Sequence, residues 1–131
     1  MKSGDRQWFV VDHGQLHAVK SGLDLDSALQ EIHKAAHTDP RLVTIISPNR
    51  ARLLIGLGAA RAVVQFSRGD DPPYMVTVGP SEEEGTTTFS LDGEKTEIPR
   101  RNLVAIEEAL HAARVFFETD SRPGDLRWEE V

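Results

Sequence analysis

The sequence predicts an α+β fold, a mostly antiparallel sheet of about six to eight short strands with two helices packed on one face. Most apolar runs are short and end at Gly, Pro or Asp, as consecutive strands require. Two stretches instead repeat apolar residues at three- and four-residue spacing, which is helical periodicity. Asp92-Gly93, set between Phe89-Ser90-Leu91 and Lys95-Thr96-Glu97-Ile98, supplies the strongest hairpin signal in the chain.

Taken in order, Trp8-Phe9-Val10-Val11 is aromatic and β-branched and is broken by Asp12-His13-Gly14, giving an opening strand. Leu25, Ala28, Leu29, Ile32, Ala35 and Ala36 mark a first helix that ends before Pro40, with Asp24 or Asp26 placed to cap it. Leu42 to Ile46, Arg52 to Gly56 and Arg61 to Phe66 then read as successive strands with a Gly-bearing turn before the last. Gly69 to Pro73 breaks the chain, Tyr74 to Val78 is a strand, Gly79 to Gly85 is an acidic loop, and Thr86 to Leu91 opens the Asp92-Gly93 hairpin. Leu103, Ile106, Leu110, Ala113, Phe116 and Phe117 trace one face of a second helix. Pro123-Gly124 closes it, and Leu126-Arg127-Trp128 forms a final strand.

A chain of 131 residues without a visible linker or repeat is expected to be a single domain, 1–131. With no Cys there is neither a disulfide nor a thiolate metal site, and no apolar leader or membrane span is seen, which points to the cytoplasm and away from membranes. The net charge of −6 is unevenly spread. Residues 1–66 carry eight Lys/Arg against six Asp/Glu, or +2, and residues 67–131 carry seven against fifteen, or −8. Such a charge excess argues against direct binding of nucleic acid and for a basic protein partner. The acidic residues expected to meet that partner are Asp70, Asp71, Glu82, Glu83, Glu84 and Glu94.

Other constellations read as structural. Gly56-Leu57-Gly58 half matches a dinucleotide-binding loop, but a strand follows it where a helix N-terminus would have to hold the phosphates. His33 and His37 share a helical spacing, yet no third ligand accompanies them. His13 and His17 flank a turn beside Asp12 and complete no triad, and no G-x-S-x-G occurs. Trp8 and Trp128 read as core or strand-face residues. No metal, no cofactor and no catalytic residue is expected.

The stretch from Phe89 through Asp92, Gly93 and Pro99, then Leu103-Val104, Glu107 to Leu110, Phe116-Phe117, Arg122-Pro123 and Trp128-Glu129 resembles immunity family one of bacterial polymorphic toxin systems. Leu53 to Leu57, including Gly56, and Ala62 to Val64 extend the resemblance to about residues 42 to 131. It implies a non-catalytic α+β protein that binds and neutralises the C-terminal domain of a secreted toxin, often a nucleic-acid deaminase. The motif residues Gly56, Asp92, Gly93, Pro99, Phe116, Phe117, Arg122, Pro123 and Trp128 are then structural, with Arg122, Pro123 and Trp128 holding the last strand against the second helix. Asp120 departs from the family's Gly, which suggests a different turn after Thr119, and Ala105 departs from a frequent Pro. The rival readings are an adaptor or regulatory binding domain, and a small hydrolase or ligand-binding protein whose pocket would hold titratable groups with displaced pKa values. The oligomeric state is left open.

Overall fold

A computed structural model describes residues 7–69 and 71–131, so Asp70 lies outside the described residues. The strands are β1 (Trp8–Asp12), β2 (Gln15–Val19), β3 (Arg41–Ile46), β4 (Arg52–Leu57), β5 (Val64–Ser67), β6 (Met75–Thr77), β7 (Thr86–Leu91), β8 (Glu94–Pro99) and β9 (Trp128–Glu130). Helices α1 (Gly22–Ala35) and α2 (Ile106–Thr119) complete the α+β architecture. The sheet runs β2-β1-β3-β4-β5-β6-β9 through antiparallel pairs, and β7 joins β3 by one parallel pairing, Arg41 with Ser90.

Among the described residues nine strands form where six to eight were expected. The additional strand is β2. His13 and Gly14 both take positive φ, 52° and 76°, and so make a two-residue turn whose twist suits a hairpin, and the chain doubles back from Asp12 to Gln15. Gln15 to Ala18 are exposed, so β2 lacks the buried apolar face that announces a strand. The Asp92-Gly93 hairpin forms with the same turn geometry, φ 51° and 89°. The last strand starts at Trp128, later than expected, and lies along β6 as an edge.

Central strands β3 and β4 are buried on one face and partly covered on the other, where Thr44, Ile46 and Leu54 are half-buried, which is why Leu42 to Ile46 and Leu53 to Leu57 are almost continuously apolar. One face carries the main core. There Leu25 and Leu29 of α1 and Ala109, Ala113 and Phe116 of α2 meet Val43, Ile45, Leu53 and Ile55. Phe116 also meets Trp8 and Phe66 edge to face, with ring centroids 5.2 and 5.9 Å away, and Phe117 lies 4.9 Å from Trp8. The β7–β8 hairpin folds onto the opposite face, where Phe89 and Ile98 join Leu42, Val63, Val76 and Leu103 in a second core. Leu103 belongs to that core and not to the α2 face, because α2 begins only at Ile106.

Helix ends also differ from expectation. Ser21 caps α1, its Oγ accepting from the Asp24 N–H at 3.1 Å, while Asp24 reaches back to accept from the Lys20 N–H at 3.0 Å. Asp26 instead accepts from Arg114 of α2 at 2.5 Å, linking the two helices. Asp120 itself takes the left-handed conformation (φ 51°, ψ 39°) that a glycine would supply. Its amide donates to the Phe116 carbonyl and its carboxylate accepts from Asn49 at 2.6 Å, so the turn keeps the geometry of a glycine cap.

Gly56 sets the distance between β4 and the hairpin above it. A Cβ there would stand 2.8 Å from Val63 Cγ1 and 2.9 Å from Phe89 Cε1. Gly56→Ala therefore forces Phe89 and Val63 apart and is expected to cost about 1–3 kcal/mol of unfolding free energy in urea titration. An unchanged midpoint would show that the hairpin does not rest on Gly56.

Candidate partner-binding surface

Of the acidic residues singled out in the sequence, the described ones do not form one patch. Asp71 lies in the β5–β6 loop and Glu82 to Glu84 in the β6–β7 loop, so β6 separates them. Glu94 sits at the tip of the β7–β8 hairpin, about 17 Å along six-residue strands from the Gly85 end.

The Glu82–Glu84 loop is held by basic side chains that the sequence reading left out. Glu83 accepts from Arg61 at 2.7 Å and from Arg100 at 3.4 Å. Glu82 lies 3.9 Å from Arg101, with its side chain 87% exposed. Arg101 in turn donates to Glu129 of β9. Glu84 has no ion pair among the described residues and faces solvent. An available signal was the Arg100-Arg101 pair directly after Pro99, opposite in charge to the acidic triplet.

A buried polar pair anchors this end of the molecule. Thr77 Oγ1 donates to the Asn102 carbonyl at 2.9 Å, and Asn102 Nδ2 donates to the Thr77 carbonyl and to Glu129, both at 2.9 Å. Gly79 then runs so close to the 101–103 segment that a Cβ would stand 1.9 Å from the Leu103 carbonyl oxygen. Its amide donates to the Arg101 carbonyl at 2.7 Å. The acidic loop thus leaves the sheet from a fixed point.

Hydrogen bonding to Arg61 holds the Glu83 carboxyl below its ordinary pKa near 4.5, and bonds from Arg101 and Asn102 do the same for Glu129. Glu97 is lowered by the hydroxyls of Thr86 and Thr88, at 2.5 and 2.6 Å. Arg41 is raised by its paired bonds to Asp12, at 2.7 and 3.0 Å, and Arg101 by Glu129. Each displacement comes from hydrogen bonding between side chains, and none of these groups lines the groove between Phe66, Met75 and Arg122.

That groove, of about 530 Å³, lies at the other end of α2. Phe66, Met75, Pro72 and Pro73 form its apolar wall, and Arg68, Asp71 and Arg122 its charged rim. Arg68 reaches over the Phe66 ring, with its guanidinium carbon 5.9 Å from the centroid. Pro123 is buried and its carbonyl accepts from Trp128 Nε1 at 2.8 Å, which ties the final segment together. Arg122 was expected to share that task, but its side chain is exposed on the groove.

Elsewhere, His33 Nδ1 accepts from the Gly58 N–H at 2.9 Å, and His37 Nδ1 lies 3.0 Å from the Lys34 carbonyl, so the two imidazoles serve the backbone. Gly56 and Gly58 lead from β4 into its antiparallel partner β5. Among the described residues no cluster of three His, Cys, Asp or Glu could hold a metal, and no helix is long and apolar enough to cross a membrane.

The family model described as Immunity protein Imm1 matches residues 13–130. The chain belongs to the Imm1 family. The match includes the β1–β2 turn and α1, which the resemblance over residues 42 to 131 did not reach. No curated protein matches the chain. In this Imm1 member, Gly56, Phe116, Pro123 and Trp128 are packing residues, whereas Glu82, Glu84 and Arg122 present their side chains to solvent.

The lowered carboxylates have a sign that can be checked. A depressed folded-state pKa contributes stability that is present above the ordinary carboxylate value and is lost as pH falls through the lowered one. Arg61→Ala/Arg101→Ala removes the main cause for Glu83 and Glu129. The gap in Tm between wild type and this variant should be widest above about pH 5 and shrink below about pH 4. A gap that stays constant across that range would rule out the ion-pair account.

Proposed function

We propose that the protein acts as a single domain in the cytoplasm and neutralises a cognate secreted toxin domain by binding it, with no catalytic step of its own. The observation that carries this reading is the Imm1 match over residues 13–130, nearly the whole chain. The toxin is, on this reading, the C-terminal domain of a polymorphic toxin that targets nucleic acid, a deaminase above all. An enzyme that grips nucleic acid carries a basic cleft to meet phosphates. Glu82 and Glu84 are the exposed carboxylates that suit such a cleft, with Glu83 anchored inward on Arg61 and Arg100.

The electrostatics along α2 support an oriented approach. Glu107 and Glu108 in its first turn stand at the same end as the Glu82–Glu84 loop, and Val78, Pro80 and Glu108 line one shared hollow. Carboxylates at a helix N-terminus are favoured by the helix dipole, so folding and recognition ask for the same charge there. Steering by such a field acts on the association rate and is screened by salt.

Cells expressing the toxin domain encoded beside this gene should survive only when this protein is co-expressed, and the two should co-purify. Death in both cases, or a harmless neighbour, would refute the immunity reading. Glu82→Ala/Glu83→Ala/Glu84→Ala should lower the association rate about tenfold at low salt and flatten its salt dependence. Unchanged kinetics would remove the acidic loop from the binding account while leaving rescue intact.

A further inference from the structure

The groove at the C-terminal end of α2 is opposite in character to the acidic loop. Three loops converge there: β3–β4 with Arg50, β5–β6 with Arg68 and Asp71, and the segment after α2 with Asp120 and Arg122. Arg52 begins β4 directly beside Ser67, its cross-strand partner. Among the described residues Arg50, Arg52, Arg68 and Arg122 thus stand at this end with Asp71, Asp120 and, opposite Met75 in the sheet, Glu130. In a chain of net charge −6, the lining of this groove itself carries two arginines against one carboxylate, beside apolar walls.

Two of those arginines rim the groove. Arg68 and Arg122 are exposed and make no ion pair among the described residues, whereas Arg41, Arg61, Arg100, Arg101 and Arg114 are all engaged with carboxylates. Two open guanidinium forks stand beside Phe66, Met75 and the Pro72-Pro73 pair, and Arg is among the residues that concentrate binding energy in protein interfaces. Arg also binds carboxylates through paired hydrogen bonds, which gives direction as well as attraction.

We propose that this groove is a second docking point for the toxin, and that it takes an acidic segment carrying a carboxylate next to an apolar side chain. The proposal rests on the immunity reading given above. The apolar wall accepts the apolar side chain, and Arg68 and Arg122 engage the carboxylate. A nucleic acid is a poorer fit, since Asp71 stands on the same rim and two arginines fall short of the clustered cations that a phosphate backbone calls for. The protein therefore offers an acidic loop near the start of α2 and an acid-seeking groove at its end, about 20 Å apart along fourteen residues. A partner would have to match both signs in the correct order, which excludes toxins that are simply basic.

The test uses the full chain and the toxin domain that it rescues. Arg68→Glu/Arg122→Glu should weaken the complex at least a hundredfold by calorimetry, with the Tm of the free protein within a few degrees of wild type. Arg68→Lys/Arg122→Lys should keep part of the affinity, since it retains the charge and loses only the paired geometry. Hydrogen exchange on the toxin should show one segment protected by wild type and released by the Glu variant, with Asp or Glu beside an apolar residue in it. If wild type rescues and the Glu variant binds equally well, or if the released segment is Lys/Arg-rich, the groove proposal falls and the immunity reading stands. If wild type neither binds nor rescues, both fall. A twelve-nucleotide single strand serves as the phosphate probe. Binding to wild type that is lost in the Glu variant would assign the groove to nucleic acid and overturn the proposal.

Discussion

The arrangement of this protein depends most on two polar residues in places where polar groups are costly. Thr77 is fully buried and Asn102 nearly so, and each satisfies the other through hydroxyl, carboxamide and backbone carbonyl. A buried polar group without a partner costs roughly 1–3 kcal/mol, so neither residue is tolerable there alone. The Thr77 hydroxyl also accepts from the Val64 N–H at 3.2 Å, bringing β5 into the same network. Through Asn102 the pair reaches Glu129 on β9, and through Glu129 it reaches Arg101. One knot thereby fixes the end of the sheet, the entry to α2 and the base of the acidic loop.

The second organising constraint is that the sheet is used on both sides. The helices need one apolar face of β3 and β4, and the β7–β8 hairpin needs the other. Neither strand consequently has a fully exposed residue, and the hairpin comes close where β4 offers Gly56. The single parallel pairing of β7 with β3 is a local contact, and Phe89 in its pocket does most to seat the hairpin. Fold and surface are linked here, because the Thr86–Pro99 end of the hairpin leads directly to Arg100 and Arg101.

Much of this was legible from residues alone. Helical periodicity found α1 and α2, short apolar runs found most strands, and Asp92-Gly93 located its hairpin correctly. What escaped had physical reasons. β2 is exposed and so shows no alternation; Ser21 was passed over for nearby aspartates that serve other partners; and Leu103 fell in phase with α2 while belonging to the opposite core. Thr77 and Asn102 look like ordinary strand-end and loop residues until the fold brings them together. For the candidate surface, sequence identified charged residues but not their company. It could not tell that Glu83 is occupied by Arg61 and Arg100, that β6 divides Asp71 from the triplet, or that Arg122 opens onto a groove.

The tethering of the acidic loop has a consequence for how it meets anything at all. Free loops must surrender backbone and side-chain freedom on contact, and that loss is subtracted from whatever the contact provides. Here Gly79 packs against the Leu103 carbonyl and Glu83 pairs with two arginines, so part of that freedom is given up when the chain folds. On the proposed reading, a partner would meet Glu82 and Glu84 on a loop already fixed at its base and at Glu83, and so in a narrowed set of positions.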